Sequence, residues 1–180
     1  MISIVITAFK EERTIGRAIE AFMKNDIKQD YEILVVCPDE ATKNAISEYQ
    51  QKNENIKHIK DDGAGKPSAL NKALKSAKGD ILIFSDGDVY VENNAVNALI
   101  AKLTHPQTGA VTGRPVSISP RNTMLGFWSH LLTDAGAHLT RLERVKKGKF
   151  IVVSGYLFAM KRLFNRIPED ALSDDGVISY

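Results

Sequence analysis

The stretch Asp80-Ile81-Leu82-Ile83-Phe84-Ser85-Asp86-Gly87-Asp88 runs through four consecutive apolar residues and stops at two aspartates around a glycine. A short apolar run bounded by turn residues reads as a strand buried on both faces, as found inside a parallel sheet. In an open parallel sheet, ligands bind outside the carboxyl ends of the strands. Asp86 and Asp88 therefore fall at a binding edge, where carboxylate oxygens suit a hard cation such as Mg²⁺ or Mn²⁺. The alternative is a plain Asp-Gly surface turn.

Working outward, apolar and β-branched runs recur at 2–7, 32–37 and 56–60, with the fourth at 80–85. The spacers read as helices over 14–24, 40–51 and 67–77. Ile15, Ala18, Ile19 and Phe22 recur at three- and four-residue steps, and Ala69, Leu70, Ala73, Leu74 and Ala77 form a second stripe behind Pro67. Alternating strands and helices with short connections predict an α/β fold, a mostly parallel sheet with helices on both faces.

Beyond Asp88 the pattern changes. A helix is predicted over 93–103 and a strand over 110–118, interrupted by Gly113-Arg114-Pro115. Next comes a long helix whose stripe of Met124, Trp128, Leu131, Ala135, Leu139 and Leu142 predicts core packing. Its basic end, Arg141, Arg144, Lys146, Lys147 and Lys149, is either a solvated face or a contact for an anionic membrane surface. His130 and His138, eight apart, lack further ligands nearby and read as ordinary, partly exposed histidines. Residues 150–154 and 157–160 read as further strands or one bent strand.

Composition narrows the function. The 180 residues carry a net charge of +2, too balanced for a strongly basic nucleic-acid binder. A single cysteine, Cys37, forms no internal disulfide, and no apolar run reaches the roughly 20 residues a membrane-crossing helix needs. The opening strand does not read as a signal peptide, so the expected location is cytoplasmic. Gly65-Lys66-Pro67-Ser68 lacks the Ser or Thr that follows lysine in a P-loop, and no G-x-G-x-x-G follows the first strand. Tyr90 stands where an EF-hand needs an oxygen ligand. Lys66 either neutralises a phosphate or is a solvated loop charge.

Four segments, in order, resemble the family 2 glycosyltransferases of GT-A fold. Thr7-Ala8-Phe9-Lys10-Glu11-Glu12 is similar to their P-x-Y-N-E-E opening, and Gly65-Lys66-Pro67-Ser68-Ala69-Leu70-Asn71 to G-K-x-x-A-L-N. Residues 80–88 resemble the strand bearing D-x-D, and Ser173-Asp174-Asp175 the late acidic pair. Lys10 replaces the usual Asn, and Cys37-Pro38 replace an acidic pair, with Asp39 one or two places later.

The resemblance implies a single GT-A catalytic domain over 1–180, with a nucleotide-sugar half at 1–88 and an acceptor half at 89–180. It implies donor contacts from Thr7, Phe9, Glu11, Asp39, Lys66, Asn71 and Asp86, with Phe9 alternatively a core residue. Asp88 would hold Mg²⁺ or Mn²⁺, and Asp175, with Asp174 beside it, would be the general base for inverting transfer. The alternative for that pair is a helix N-cap. The implied donor is a UDP-sugar; the acceptor is open, lipid-linked or saccharide, with peripheral contact at the inner face of a membrane as a further expectation. The chain stops at Tyr180, before the Q-x-x-R-W segment of processive members, which reads as a truncated catalytic region or a short member. A non-catalytic scaffold and a nucleotidyltransferase are the other readings; the latter expects a glycine-rich loop that residues 7–13 lack.

Overall fold

The computed structural model describes residues 1–171 and 173–179. Its centre is a six-stranded sheet of order β3-β2-β1-β4-β6-β5. Strands β1 (Ile2–Thr7), β2 (Tyr31–Cys37), β3 (Ile56–Lys60) and β4 (Ile81–Asp86) are parallel. The edge formed by β5 (Ala110–Thr112) and β6 (Leu157–Lys161) runs antiparallel, β6 against β4 and β5 against β6. This is the expected α/β, mostly parallel architecture.

Successive side chains on a strand point to opposite faces, and the strands sort accordingly. Ile4, Ile6, Ile33, Val35, Ile83 and Ala159 face one core, with α1 (Ile15–Met23), α2 (Glu40–Lys52) and α4 (Ala95–Leu103). Val5, Leu34, Val36, Leu82, Phe84, Phe158 and Met160 face the other, with α3 (Lys66–Ser76) and Ile178 of α7 (Asp174–Ser179). Among the buried polar residues of the strands is the register pair Ser3 and Glu32. Ser3 Oγ donates to Glu32 Oε1 at 2.8 Å, Lys78 N–H donates to the same oxygen at 2.8 Å, and Lys57 Nζ lies 3.0 Å from Oε2. A buried carboxylate is tolerated when its lone pairs are filled in this way.

Four expectations past Asp88 are corrected. The strand expected over 110–118 ends at Thr112, because Gly113 makes the last bond to Leu157 O and Pro115 has no N–H to continue the ladder. Residues 150–154 form no strand; only Leu157–Lys161 pairs. The long helix is an arm in three parts: α5 (Met124–Leu131), a π-helical stretch (Leu132–Leu139) and α6 (Thr140–Lys146). Its stripe faces away from the core, with Met124 74% and Trp128 52% exposed. His130, expected to be partly exposed, is instead buried, its Nε2 lying 2.9 Å from Ser119 O.

Candidate active site

A pocket of about 440 Å³ opens at the carboxyl ends of the parallel strands. It is built from four strand ends and the start of one helix, as the topology of a parallel sheet dictates. Thr7 and Asp86 are neighbours in the β1–β4 register, and Thr7 Oγ donates to Asp86 Oδ1 at 3.3 Å. The turn after β4 folds back on β1 through Gly87 N–H donating to Thr7 O at 2.9 Å. A Cβ on Gly87 would lie 2.9 Å from Ala8 Cβ, so this approach requires glycine.

Lys66 opens α3, preceded by Gly65 at φ 102°, a left-handed conformation that favours glycine. Its Nζ donates to Asp86 Oδ1 at 2.6 Å and lies 3.6 Å from Asp174 Oδ2 in the first turn of α7. Burial disfavours the Lys66 charge, but Asp86 and then Asp174 outweigh it and raise the pKa above its ordinary value. Asp175 belongs to the same constellation. A Cβ built on Gly155 would sit 3.6 Å from Asp175 Oδ2 and 3.8 Å from Lys66 Nζ, so the backbone at Gly155 borders the gap between base candidate and ammonium.

Of the sequence-predicted residues, Asp174 and Asp175 stand beside Lys66 without lining the pocket, and the expected donor-side and metal residues divide into two groups. Thr7, Phe9, Glu11, Lys66, Asp86 and Asp88 line the pocket. Phe9 is 62% exposed there, which removes its reading as a core residue. Asp88 is exposed at the rim. Two residues expected to contact the donor do not line the pocket. Asn71 is buried with its amide closed on a distant segment: Oδ1 accepts from Ile167 N at 2.7 Å and Nδ2 donates to Ile167 O at 2.8 Å. Asp39 caps α2 by accepting from Thr42 N at 2.9 Å, and its second oxygen accepts from Lys10 N at 3.0 Å. Burial opposes the Asp39 charge, but these N–H donors outweigh it and hold the carboxyl below its usual range. Lys10 reaches it by adopting φ 58°, a conformation asparagine takes more readily than lysine.

Asp61, which is not among the site residues expected from the sequence, is buried and lines the pocket, its Oδ1 accepting from Gly63 N. Its position after β3, on the same rim as Asp86, was the available signal. Cys37 is fully buried; burial first, then nearby Asp39 and Asp61, push its thiol up to about 12, which removes it from nucleophilic chemistry.

Among the described residues no group of three or more His, Cys, Asp or Glu side chains is arranged to hold a metal ion. Asp86 is already engaged by Thr7 and Lys66, leaving Asp88 as an open carboxylate at the rim. Such a donor set fits a hard cation that completes its shell with substrate oxygens, and does not fit one resident on protein ligands alone.

Comparisons with known proteins agree with this architecture. The sequence model of the family described as "Glycosyl transferase family 2" matches residues 3–166, and the chain belongs to that family. It is 28% identical over 169 residues to the probable glycosyltransferase YdaM of Bacillus subtilis, covering 89% of this chain and 40% of YdaM. Against a Pyrobaculum calidifontis mannosyltransferase solved with GDP-Man and Mn²⁺, the TM-score is 0.75 at 21% identity, over 97% of this chain and 49% of the other. Staphylococcus aureus TarS 1-349 gives 0.65 at 20% identity, over 98% of this chain and 53% of the other. The chain thus spans less than half the length of YdaM and about half of the chains in these two structures.

Proposed function

We propose that this chain binds a nucleotide-sugar, a UDP-sugar in the first instance, and transfers the sugar to an acceptor hydroxyl with inversion. The observation that carries the reading is the meeting of Lys66 and Asp86 in one pocket, with Asp174 3.6 Å from the Lys66 ammonium and Asp88 open at the rim. A diphosphate brings negative charge that the N-terminus of α3 and the Lys66 ammonium are suited to receive. Thr7, Phe9, Glu11 and Asp86 bind the nucleoside side, with Phe9 presenting an exposed ring for stacking. Asp88 would hold Mg²⁺ or Mn²⁺, and such a cation would offset charge on the departing diphosphate. Asp175 accepts the proton of the attacking hydroxyl, and Asp174 helps keep Lys66 oriented.

In this reading residues 1–88 form the donor half and 89–180 the acceptor half. Among the described residues no helix is long and apolar enough to cross a membrane. The exposed apolar side chains of the arm, together with Arg144, Lys146 and Lys147, suit peripheral contact with an anionic membrane surface.

The test is calorimetric titration of UDP and, separately, GDP, each in Mn²⁺ and in EDTA. UDP is expected to bind in Mn²⁺ and much more weakly in EDTA, and Asp88→Asn to weaken binding only in Mn²⁺. Equal loss by Asp88→Asn in both conditions refutes the cation role. Tighter binding of GDP than UDP refutes the uridine assignment, and absence of both refutes the donor site.

A further inference from the structure

Lys66 stands between two carboxylates, and only one of them belongs to the pocket. Asp86 lines the pocket and accepts from the ammonium at 2.6 Å. Asp174, in the first turn of α7, does not line it and lies 3.6 Å from the same Nζ. The far end of α7 is anchored without Lys66. Ile178 is buried in the core that faces α3, and Ser179 Oγ donates to Asp175 O at 2.6 Å while accepting from Val153 N at 3.0 Å. The first turn also carries Asp175, whose Oδ1 is engaged within that turn, accepting from Ser173 Oγ and from Gly176 N at 2.9 Å. Packing therefore fixes one end of α7, and an ion pair to the pocket wall holds the other.

We infer that Asp174 competes with the donor's diphosphate for Lys66, so that donor binding frees the turn of α7 that carries Asp175; this role rests on the donor reading above. One ammonium cannot face a phosphate inside the pocket and keep both carboxylates. The distances decide which is surrendered. At 2.6 Å the Asp86 contact is a charge-assisted hydrogen bond, whereas 3.6 Å to Asp174 is too long for one. Lys66 turning into the pocket therefore keeps Asp86 and gives up Asp174. Asp174 is then left without its cation beside a diphosphate of like charge, which favours moving the turn away about its anchored end. A contact made only in the empty protein lowers the affinity of any ligand that must break it. The pair also acts as a gate: the turn bearing the proposed base is released once the diphosphate is seated, so the donor precedes the acceptor.

The experiment titrates UDP in Mn²⁺, and inorganic pyrophosphate, into wild type, Asp174→Asn, Lys66→Met and the double variant. Hydrogen exchange is followed at the amides of Gly176 and Val177, which in the empty protein donate to Ser173 Oγ and Ser173 O. Asp174→Asn is expected to bind both ligands about three- to tenfold tighter, through loss of a partly exposed ion pair and relief of like-charge repulsion. In the Lys66→Met background the same substitution should change UDP affinity by less than about twofold. UDP should speed exchange of the two amides in wild type, and Asp174→Asn should show the faster exchange without ligand. Unchanged or weaker binding by Asp174→Asn, beside normal UDP binding by wild type, overturns the competition and leaves the donor reading standing. An equal gain in the Lys66→Met background assigns the effect to the general field of the pocket and overturns it too. Exchange that UDP leaves unchanged or slows in wild type overturns the release of the turn. Wild type that binds pyrophosphate but not UDP refutes the donor reading, while Asp174→Asn still decides the competition through pyrophosphate. Binding of neither ligand overturns both.

Discussion

Replacing Lys66 by methionine keeps an unbranched side chain at the head of α3 and removes its ammonium. Lys66 Nζ is 2.6 Å from Asp86 Oδ1 and 3.6 Å from Asp174 Oδ2, so the substitution leaves two carboxylates facing one another without their shared cation. A hydrogen bond between charged groups contributes about 1.5–3 kcal/mol. About a third of the Lys66 side chain is open to water (34%), and screening brings the expected loss to about 1–2 kcal/mol. For a domain of this size that is a fall in Tm of about 2–8 °C. The pH dependence has a definite sign. Asp86 and Asp174 outweigh burial and raise the Lys66 pKa above its ordinary 10.5. A raised pKa contributes fully below the unfolded value and is lost as pH rises through the folded one. Urea denaturation should therefore show a constant gap between wild type and Lys66→Met from pH 7 to 9 that closes at pH above about 10.5. A double-mutant cycle with Asp86→Asn should be non-additive. Equal stability at pH 7, or strict additivity in the cycle, refutes the ion pair as a determinant of the site's stability.

Two further perturbations probe residues that hold the site's frame. Glu32→Leu strips the acceptor from Ser3, Lys78 N–H and Lys57 and should cost about 3–5 kcal/mol in urea denaturation. Burial alone would raise the Glu32 carboxyl, but the Lys78, Lys57 and Ser3 bonds outweigh it and lower it below 4.5, so its contribution is full above that pH and is lost as pH falls through the folded value. A gap between wild type and variant that widens toward acid contradicts this assignment. Asn71→Ala should cost about 2–4 kcal/mol by leaving Ile167 N–H and C=O unpaired, with UDP affinity of the folded protein unchanged. Lost UDP binding at unaltered stability would return Asn71 to the donor pocket.

The first half of the fold was legible because its strands are short apolar runs and its helices carry a clear three-to-four periodicity. β1 and β3 match the expected residues, and α1 to α4 begin or end within two residues of them. Lys66, Thr7 and Asp86 were found on one rim because chain order in a parallel sheet puts every strand's end on the same side. The second half was less legible because periodicity identifies a face without saying what covers it. The stripe from Met124 to Leu142 marks helical spacing correctly, and the tertiary arrangement leaves it exposed.

Residue identity by itself determined the four parallel strands, the helices that alternate with them, and the charges that converge at the strand ends. It did not determine which polar side chains turn toward the pocket. Asn71 is held by Ile167, 96 residues away in the chain, and Asp39 by the N–H of Lys10 across a left-handed turn. Hydrogen-bond partners distant in sequence are chosen by packing, and a buried amide or carboxylate must go where its lone pairs are filled. Local pattern therefore predicts which residues reach the rim, and only the tertiary structure decides which of them remain free to meet a ligand.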